Sequence, residues 1–398
     1  MLVRPLLGGV LVLAVAVGIG RFAYTPVLPA MQRGAHLATG TAGLLASANY
    51  LGYLAGALLA ALVPGGVARD RVLGGSLVAV VLTTGLMAGT VDVVAWGALR
   101  LLCGLASAGA FVLASDLVLE ILRRRRATEL AGWLYSGVGL GIVASGVLVR
   151  VVDAAHGWRG DWLALSLLAG VLAITACLLL PRANTVGTRT AGLSRQTVCQ
   201  RRSRIMGALL LGAYLLEGAG YVVTGTFLVA IVDGTAGLGG SGADAWILVG
   251  LAATPSCIAW TWLAARIGYA PALVLAYIGQ ACGIALPLLG GGAAVVMAAA
   301  ALFGATAVGI VTLTLTFAGQ LSPRGVLGSV GFLTAAFGLG QIIGPVLGGL
   351  LAERTGNFDL ALGAASAVVF LGALLMLALL IASAPPPTSA TRRGACCP

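Results

Sequence analysis

Twelve long apolar stretches, separated by short polar segments, constrain this chain more than any other feature of its sequence. They form two sets of six around one arginine-rich segment, 181–204. The predicted bounds are 5–32, 40–64, 72–90, 92–121, 128–151, 160–180, 205–232, 243–266, 270–290, 292–319, 325–351 and 359–383. Each is close to the roughly 20 residues that a helix needs to cross a bilayer, and the runs lack the alternation of apolar and polar residues that a barrel strand requires. The sequence therefore predicts an all-α polytopic membrane protein with 12 transmembrane helices in two pseudo-symmetric six-helix bundles.

Composition and charge agree with a bilayer environment. The chain is 60% hydrophobic and only 9% charged, whereas soluble proteins contain about 25% charged residues. Its net charge of +11 comes from 23 arginines, which would suggest nucleic acid if the total were read alone. With the N-terminus inside, however, 17 of them fall in cytoplasmic segments, four outside and two within helices. Arginine in short loops marks the cytoplasmic side, so we expect a multi-pass protein of the plasma (bacterial inner) membrane with both termini cytoplasmic and no nucleic-acid partner.

The same layout suggests a duplicated chain. We expect an N-terminal bundle over 1–180, a cytoplasmic linker over 181–204, a C-terminal bundle over 205–383 and a disordered cytoplasmic tail over 384–398. The triplet Gly18-Ile19-Gly20 in predicted helix 1 matches Gly218-Ala219-Gly220 in predicted helix 7 at an offset of 200. Glycine is so frequent, at 60 residues, that such matches support duplication without proving it.

Several classes of chemistry lack the residues that they need. The two histidines, His36 and His156, fall in predicted external loops, and no Asp, Glu and His cluster has metal-ligand spacing. A chain without lysine cannot contain a P-loop. We therefore expect no cofactor, no metal and no enzymatic activity.

Longer stretches carry a family resemblance. The segments GIGRFAYTPVLPAM (Gly18 to Met31), LEGAGYVVTGTFL (Leu216 to Leu228) and FGLGQIIGP (Phe337 to Pro345) resemble the YbfB/YjiJ branch of the major facilitator superfamily. Other matching segments cover most of the predicted helices. The resemblance implies a secondary transporter that works by rocking of two six-helix bundles, with helices 1, 4, 7 and 10 lining a central cavity. A glycine- and proline-rich string that drug antiporters of the superfamily carry in helix 5 stands here in helix 11, from Gly340 to Gly349, which weighs against a drug antiporter.

Charged side chains within the predicted helices are the first candidates for function, because ionisable groups in a membrane span are costly. Arg21 lies in the middle of helix 1, and Tyr24 is on the same face. Glu217, Tyr221 and Thr224 form one polar stripe on helix 7. We predict that Arg21 and Glu217 pair across the two halves as a coupled proton and solute site. The alternative is a static ion pair that fixes helix packing.

Other polar positions are weaker candidates for the same site. Arg100 shares a face of helix 4 with Gly104 and Ser107 at helical spacing, although it is near enough to the outer surface to extend toward water instead. Three uncharged residues complete the predicted solute-binding or coupling set, and they are Asn49, Tyr53 and Gln341. Such side chains often only bond neighbouring helices, so both interpretations stay open.

A second charged group lies near the cytoplasmic ends of the helices. Asp116 is about 160° around helix 4 from Arg100, and shares its face with Glu120. We expect both carboxylates to pair with arginines of the helix 2–3 loop, which holds Asp70 and Arg71. These four residues form the predicted cytoplasmic gate. The alternative is a solvated helix end, since exposed pairs contribute little.

The leading hypothesis is a secondary transporter for a small organic solute, coupled to protons and working by alternating access. Its expected partners are the solute, protons and the lipid bilayer. Two intramembrane arginines against one central glutamate favour an anionic or zwitterionic solute. The alternatives are a non-transporting sensor on a transporter scaffold and, less favoured because of the missing catalytic clusters, a membrane-embedded enzyme.

Overall fold

The computed structural model describes residues 2–64, 66–181, 200–321 and 330–383, with side chains omitted over 200–204. The predicted tail and nearly all of the predicted linker lie outside these ranges. Every regular element within them is helical, which confirms the all-helical prediction. The α-helices are α1 Val3–Leu13, α2 Tyr24–Ala35, α3 Thr39–Ala61, α4 Val67–Leu86, α5 Val93–Arg124, α6 Ala131–Leu179, α7 Gln200–Asp233, α8 Gly242–Ile267, α9 Tyr269–Ala285, α10 Gly292–Leu321, α11 Val330–Thr355 and α12 Asp359–Ser383.

Eleven helical stretches in the described ranges are long and apolar enough to cross a membrane. The first of them, Val3–Ala35, combines α1, a π-helical segment over Ala14–Ile19 and α2. It corresponds to predicted helix 1. From α7 onward, the observed helices match the predicted ones in number and order within the described part of the chain.

Predicted helices 5 and 6 are joined in the single element α6. At 49 residues, α6 would be about 74 Å long if it were straight, which is far more than the roughly 30 Å hydrocarbon core. It breaks at Gly157, where φ is 60° and ψ is −170°. Only glycine adopts such a conformation without strain, so the sequence itself specifies the break between its two helical segments.

Small residues allow the helix backbones to pack closely. A Cβ atom on Gly104 of α5 would collide with the backbone oxygen of Asn49 on α3. Such close approach is the usual role of glycine between membrane helices, because lipid tails provide no hydrophobic drive for helix association. The glycine content therefore has a direct structural use.

Several contacts join helices α1 to α6 to helices α7 to α12. Among them, α3 packs against α11, the first segment of α6 packs against α8, and α2 packs against α7. These contacts surround the centre of the molecule, where the first crossing and α7 meet.

Candidate functional site

The first membrane crossing is irregular at its centre. In the π-helical segment, Gly20 N–H donates to Val15 O at 2.9 Å and Phe22 N–H donates to Val17 O at 3.0 Å, five residues back in each case. A turn follows, and α2 begins at Tyr24. Irregular backbone at membrane depth is tolerated where protein or a cavity surrounds it, and π segments are frequent at functional sites. Arg21 lies at this break.

Arg100 supplies donors to the broken backbone. Its Nη1 donates to Gly20 O at 3.2 Å and its Nη2 donates to Arg21 O at 3.3 Å. The Cys103 thiol also donates to Gly20 O, at 3.1 Å. Arg100 is only 3% exposed, so it does not extend to the outer surface. It is not among the residues that line the cavity described below, and its bonds in this structure support the helix break.

Two further predicted site residues belong to this support. The ring of Tyr24 lies 4.7 Å from the Arg100 guanidinium carbon, and its hydroxyl donates to Ala42 O at 3.0 Å. Asn49 donates from Nδ2 to Arg100 O at 2.9 Å. Both side chains are buried and neither lines the cavity. They join α2, α3 and α5 around the break.

Arg21 has a different set of partners. Its Nη2 donates to the hydroxyl of Tyr221 at 2.7 Å. Its guanidinium carbon lies 5.2, 4.7 and 4.5 Å from the ring centres of Phe22, Tyr50 and Tyr53. A cation over aromatic rings is attracted by the negative faces of those rings. The charge is thus held by an aromatic cage, in which Tyr50 is a member that the sequence reasoning missed.

Tyr221 connects this cage to the second half of the chain. Gln341 of α11 donates from Nε2 to the Tyr221 hydroxyl. Four predicted site residues are therefore brought together: Arg21 and Gln341 both donate to the Tyr221 hydroxyl, and the Tyr53 ring lies against Arg21. Nearby, the Thr25 hydroxyl donates to Gly225 O at 2.7 Å, a second bond between the first crossing and α7 that the sequence did not single out.

The predicted ion pair between Arg21 and Glu217 is wrong for this conformation. Glu217 is 1% exposed, and both carboxyl oxygens lack a hydrogen-bond partner among the described residues. Its electrostatic neighbours include Tyr221 on its own helix and Tyr277 on α9. The reason is the position along α7: Tyr221 is next to Arg21, and Glu217 lies one turn earlier on the same helix. Thr224 is buried and its hydroxyl is likewise unpartnered within the described ranges.

A central cavity lies beside the Arg21 cage. Its free volume is about 50 Å³, which is room for a few water molecules at roughly 10–15 Å³ each. The early helices contribute Arg21 and the rings of Phe22, Tyr53 and Phe111. The late helices contribute the rings of Tyr214, Tyr221, Trp246, Phe303 and Phe337. Arg21 is the charged residue in the described part of this wall.

Aromatic density is the main property of the site that sequence reasoning missed. Apart from Tyr53 and Tyr221, the aromatic residues of the cavity wall were not singled out. The available signal was the clustering of a scarce residue class, because aromatics make up only 6% of the chain. A second omission is Asp161 near the start of the second α6 segment, which is fully buried with both oxygens unpartnered among the described residues.

Within the predicted cytoplasmic gate, the ion pairs of Glu120 lie on its own helix, whereas the expected partners were arginines of the helix 2–3 loop. Glu120 accepts from Arg123 at 3.2 Å and from Arg124 at 2.7 Å, both on its own helix. Arg69 bonds to Asp70 at 3.3 Å. Asp116 is half-buried and has Arg123 and Arg69 among its electrostatic neighbours. The correction follows from helix geometry, because side chains three or four residues apart on one helix meet more easily than side chains on separate elements.

An ion pair joins the two halves at the opposite end. Arg150 of α6 donates from Nε to Asp244 Oδ1 of α8 at 3.1 Å. Both side chains are about half exposed, at 58% and 47%. A polar cavity of about 160 Å³ lies beside Arg150 and is also lined by Arg33, Asp153 and Asp233.

Solved transporter structures share this helical arrangement. The nucleoside transporter NupG, crystallised as a point mutant, superposes with a TM-score of 0.71 at 15% identity, covering 94% of this chain and 99% of that one. The human organic anion transporter MFSD10 (TETRAN) gives a TM-score of 0.67 at 18% identity, covering 94% and 98%. At these identities the likeness concerns the fold.

Residues 13–377 match the family described as "Uncharacterised MFS-type transporter YbfB". The chain belongs to this family, as its sequence resemblance suggested. A curated relative, the chloramphenicol resistance protein of Streptomyces lividans, is 28% identical over 238 residues. That match covers 59% of this chain and 59% of the relative's length. The protein is therefore a multi-pass membrane protein of a transporter family.

Proposed function

We propose that this protein is a secondary active transporter, which moves a small organic solute across the plasma (bacterial inner) membrane by proton-coupled alternating access. The observation that carries the proposal is the central cavity, whose wall is built from both halves of the chain and contains one caged arginine. A site between two bodies is where a rocking motion changes the access of a solute. The names of the relative and of the structural neighbours mention three different kinds of compound, so they do not identify the solute of this protein.

The proposed architecture has twelve crossings in two related bundles. We count the segments of α6 before and after Gly157 as separate crossings, because one straight helix of that length does not fit a bilayer. The duplication is supported by two bonds at the offset found in the sequence: Arg21 to Tyr221 and Thr25 to Gly225, each 200 residues apart. Equivalent positions approach each other in this way when they lie near a two-fold axis.

The helix contacts support the same symmetry. If α3 corresponds to α8 and the first segment of α6 corresponds to α11, the contact between α3 and α11 maps onto the contact between α8 and α6. We place both termini and the 181–204 linker in the cytoplasm because of the arginine imbalance. Labelling an introduced linker cysteine from outside intact cells, with native cysteines removed, would contradict this orientation.

We assign the cytoplasmic gate to Asp70, Arg71, Asp116 and Glu120, with revised partners. Arg123, which pairs with Glu120 on α5, also approaches Gly319 of α10: its Nη1 is 3.5 Å from the position that a Cβ on Gly319 would occupy. The carboxylates thus orient an arginine that reaches the second half. Separation of the halves at this end would break that approach and leave the same-helix pairs intact.

Proton coupling is assigned to Glu217. A buried charge without a partner is expensive, and Glu217 has no hydrogen-bond partner among the described residues. Carrying a proton removes that cost. Because Glu217 lies one turn from Tyr221, a change in its charge acts on the hydroxyl group that holds Arg21. This provides a route from the proton site to the solute site without a direct ion pair.

The experiment is uptake by purified protein in liposomes, supplied with a mixed pool of organic acids, bases and neutral compounds and read by mass spectrometry. We expect a subset of compounds to accumulate only when a pH gradient is imposed. Glu217→Gln should lose this gradient-driven accumulation and retain solute exchange, whereas Glu129→Gln, on an exposed cytoplasmic turn, should behave like the unaltered protein.

Two outcomes would contradict parts of the proposal. Full gradient-driven accumulation by Glu217→Gln would remove the coupling role from this residue. Binding of compounds by the unaltered protein without any uptake or exchange would favour the alternative of a sensor on a transporter scaffold.

A further inference from the structure

Four aromatic rings from the second half form a nearly parallel stack along the cavity. The ring centres of Tyr214 and Phe337 are 4.5 Å apart, with planes 16° from parallel. Phe337 and Tyr221 follow at 5.1 Å and 15°, and Tyr221 and Phe303 at 6.2 Å and 12°. The stack joins α7, α10 and α11. All four residues line the cavity, so they give its wall a set of aromatic rings with one common orientation.

Beside this stack, Arg21 is the one positive charge in the described part of the cavity wall. Arg21 Nε has no hydrogen-bond partner among the described residues, although it is buried. A guanidinium group has five N–H donors in a planar fork and prefers bidentate contact with a carboxylate. The cage of Phe22, Tyr50 and Tyr53 provides ring faces to the cation and leaves that preference unmet.

The Tyr221 hydroxyl bonds to Arg21 where a solute group would compete. It accepts from Arg21 at 2.7 Å, and its own ring belongs to the aromatic stack. A neutral hydroxyl is a weaker acceptor for a guanidinium than an ionised carboxylate, because charge-assisted hydrogen bonds are roughly twice as strong as neutral ones. A carboxylate arriving beside Arg21 would therefore replace the hydroxyl as its partner. The same displacement would alter the one hydrogen bond between Arg21 and the second half.

We propose that the solute is an aromatic monocarboxylate, an inference that rests on the proposed transport function and narrows it. The carboxylate meets Arg21 and the flat ring lies along the stack of Tyr214, Phe337, Tyr221 and Phe303. Because the cavity in this conformation has room for only a few water molecules, the solute enters when the two halves move apart. An organic cation would be repelled by Arg21, and the described cavity wall contains no carboxylate to pair with it. A dicarboxylate would bring a second charge into an apolar, aromatic wall, where an unpaired charge is costly.

The test uses purified protein and five compounds of similar size: naphthoate, its amide, naphthylmethylamine, decalin carboxylate and naphthalene dicarboxylate. Binding is measured by calorimetry and by the shift in unfolding temperature, since a bound ligand stabilises the protein by mass action. We expect naphthoate to bind at least about 10-fold more tightly than each of the others, a difference of about 1.4 kcal/mol. The amide and the amine test the charge, the decalin compound tests the ring, and the dicarboxylate tests the single cation.

Matched variants assign each preference to its residues. Arg21→Gln should remove the preference for naphthoate over its amide, whereas Arg266→Gln, an exposed arginine at the end of α8, should keep it. Phe303→Leu should reduce the preference for naphthoate over the decalin compound. Phe358→Leu is the control, because Phe358 packs against Phe227 outside the cavity wall. If a variant does not fold, the ranking of the five compounds by the unaltered protein still decides the proposal.

The proposal would be overturned if the amide or the amine bound as tightly as naphthoate or more tightly. It would also be overturned if none of the five compounds bound. Counterflow of labelled naphthoate in liposomes separates this outcome from failure of the transport function. If another class of compound is transported and naphthoate does not bind, the solute class is wrong and the transporter stands. If naphthoate binds with the expected ranking and does not move, the solute class stands and the transport function is wrong.

Discussion

Two buried arginines lie side by side in this protein and do different things. Arg21 and Arg100 are each 3% exposed, and Arg100 donates directly to the backbone oxygen of Arg21 at 3.3 Å. Arg100 donates to carbonyl oxygens of the helix break and so holds that backbone in place. The Arg21 region holds its charge with ring faces and one hydroxyl, and it forms part of the cavity wall.

The difference teaches that burial of a charge in the membrane does not by itself mark a solute site. A free carbonyl in hydrocarbon needs a donor, so Arg100 is tied to a structural requirement of the helix break. The rings around Arg21 need no donor in return. Arg21 can therefore exchange a partner without leaving unpaired backbone behind, and this is what a solute-binding group must do.

The largest expected effect is on stability, from Arg100→Leu. This change removes two hydrogen bonds from a charged donor, to Gly20 O and Arg21 O, and each such bond is worth about 1.5–3 kcal/mol. We expect the free energy of unfolding to fall by roughly 3–6 kcal/mol on this basis, measured by tryptophan fluorescence during unfolding in detergent. Arg266→Leu is the surface control. A stable Arg100→Leu protein with lost solute binding would instead return Arg100 to the solute site.

A pair of tyrosines gives a smaller and sharper contrast. Tyr24→Leu removes a ring from Arg100 and a hydrogen bond to Ala42 O, so we expect a loss of about 1–3 kcal/mol of stability from those two terms. Tyr53→Leu removes a ring from Arg21. A cation–ring contact is worth about 0.5–2 kcal/mol, so naphthoate binding should weaken roughly 2- to 30-fold.

Unfolding and calorimetry on the same two preparations test this contrast. The distinction between the two regions fails if Tyr24→Leu weakens naphthoate binding more than Tyr53→Leu does, once both proteins are shown to be folded.

The smallest effect is expected at the exposed pair of Arg150 and Asp244. Exposed pairs contribute about 0–1 kcal/mol, so the coupling energy from a double-mutant cycle of Arg150→Gln and Asp244→Asn should fall in this range. It should also shrink as salt rises, because salt screens exposed charges. A coupling energy as large as the loss expected for Arg100→Leu would contradict this. It would show that the strength of the Arg150–Asp244 pair depends on contact between the halves and not on its partial exposure.

The sequence predicted much of the fold and part of the site. Hydropathy located the crossings, and the family segments identified the transporter class, because both signals are local and repeated along the chain. Arg21, Tyr53, Tyr221 and Gln341 were named and do come together. Glu217 was named for its position within a span, but its expected partner was wrong. Arg21 bonds to Tyr221 instead, and the electrostatic neighbours of Glu217 include Tyr277 on α9.

The aromatic stack was beyond the reach of these arguments for a related reason. Phe303 and Phe337 are 34 residues apart by their numbers in the chain and lie on different helices, and each alone is an ordinary apolar residue of a membrane span. Only the packing of α7, α10 and α11 aligns their rings with Tyr214 and Tyr221. A search for charged residues therefore found Arg21 and missed the aromatic rings of the cavity wall.

The sequence by itself determined that this chain is a helical membrane protein of a transporter family, and which ionisable groups it places within the spans. The tertiary structure decided the surroundings of those groups: Arg100 donates to backbone carbonyls, Arg21 is part of the cavity wall, and Glu217 is buried without a hydrogen-bond partner among the described residues. The physical reason is that the free energy of membrane insertion depends mainly on local composition along a helix. The partner of a buried side chain depends on helix rotation and on which distant segment packs against it.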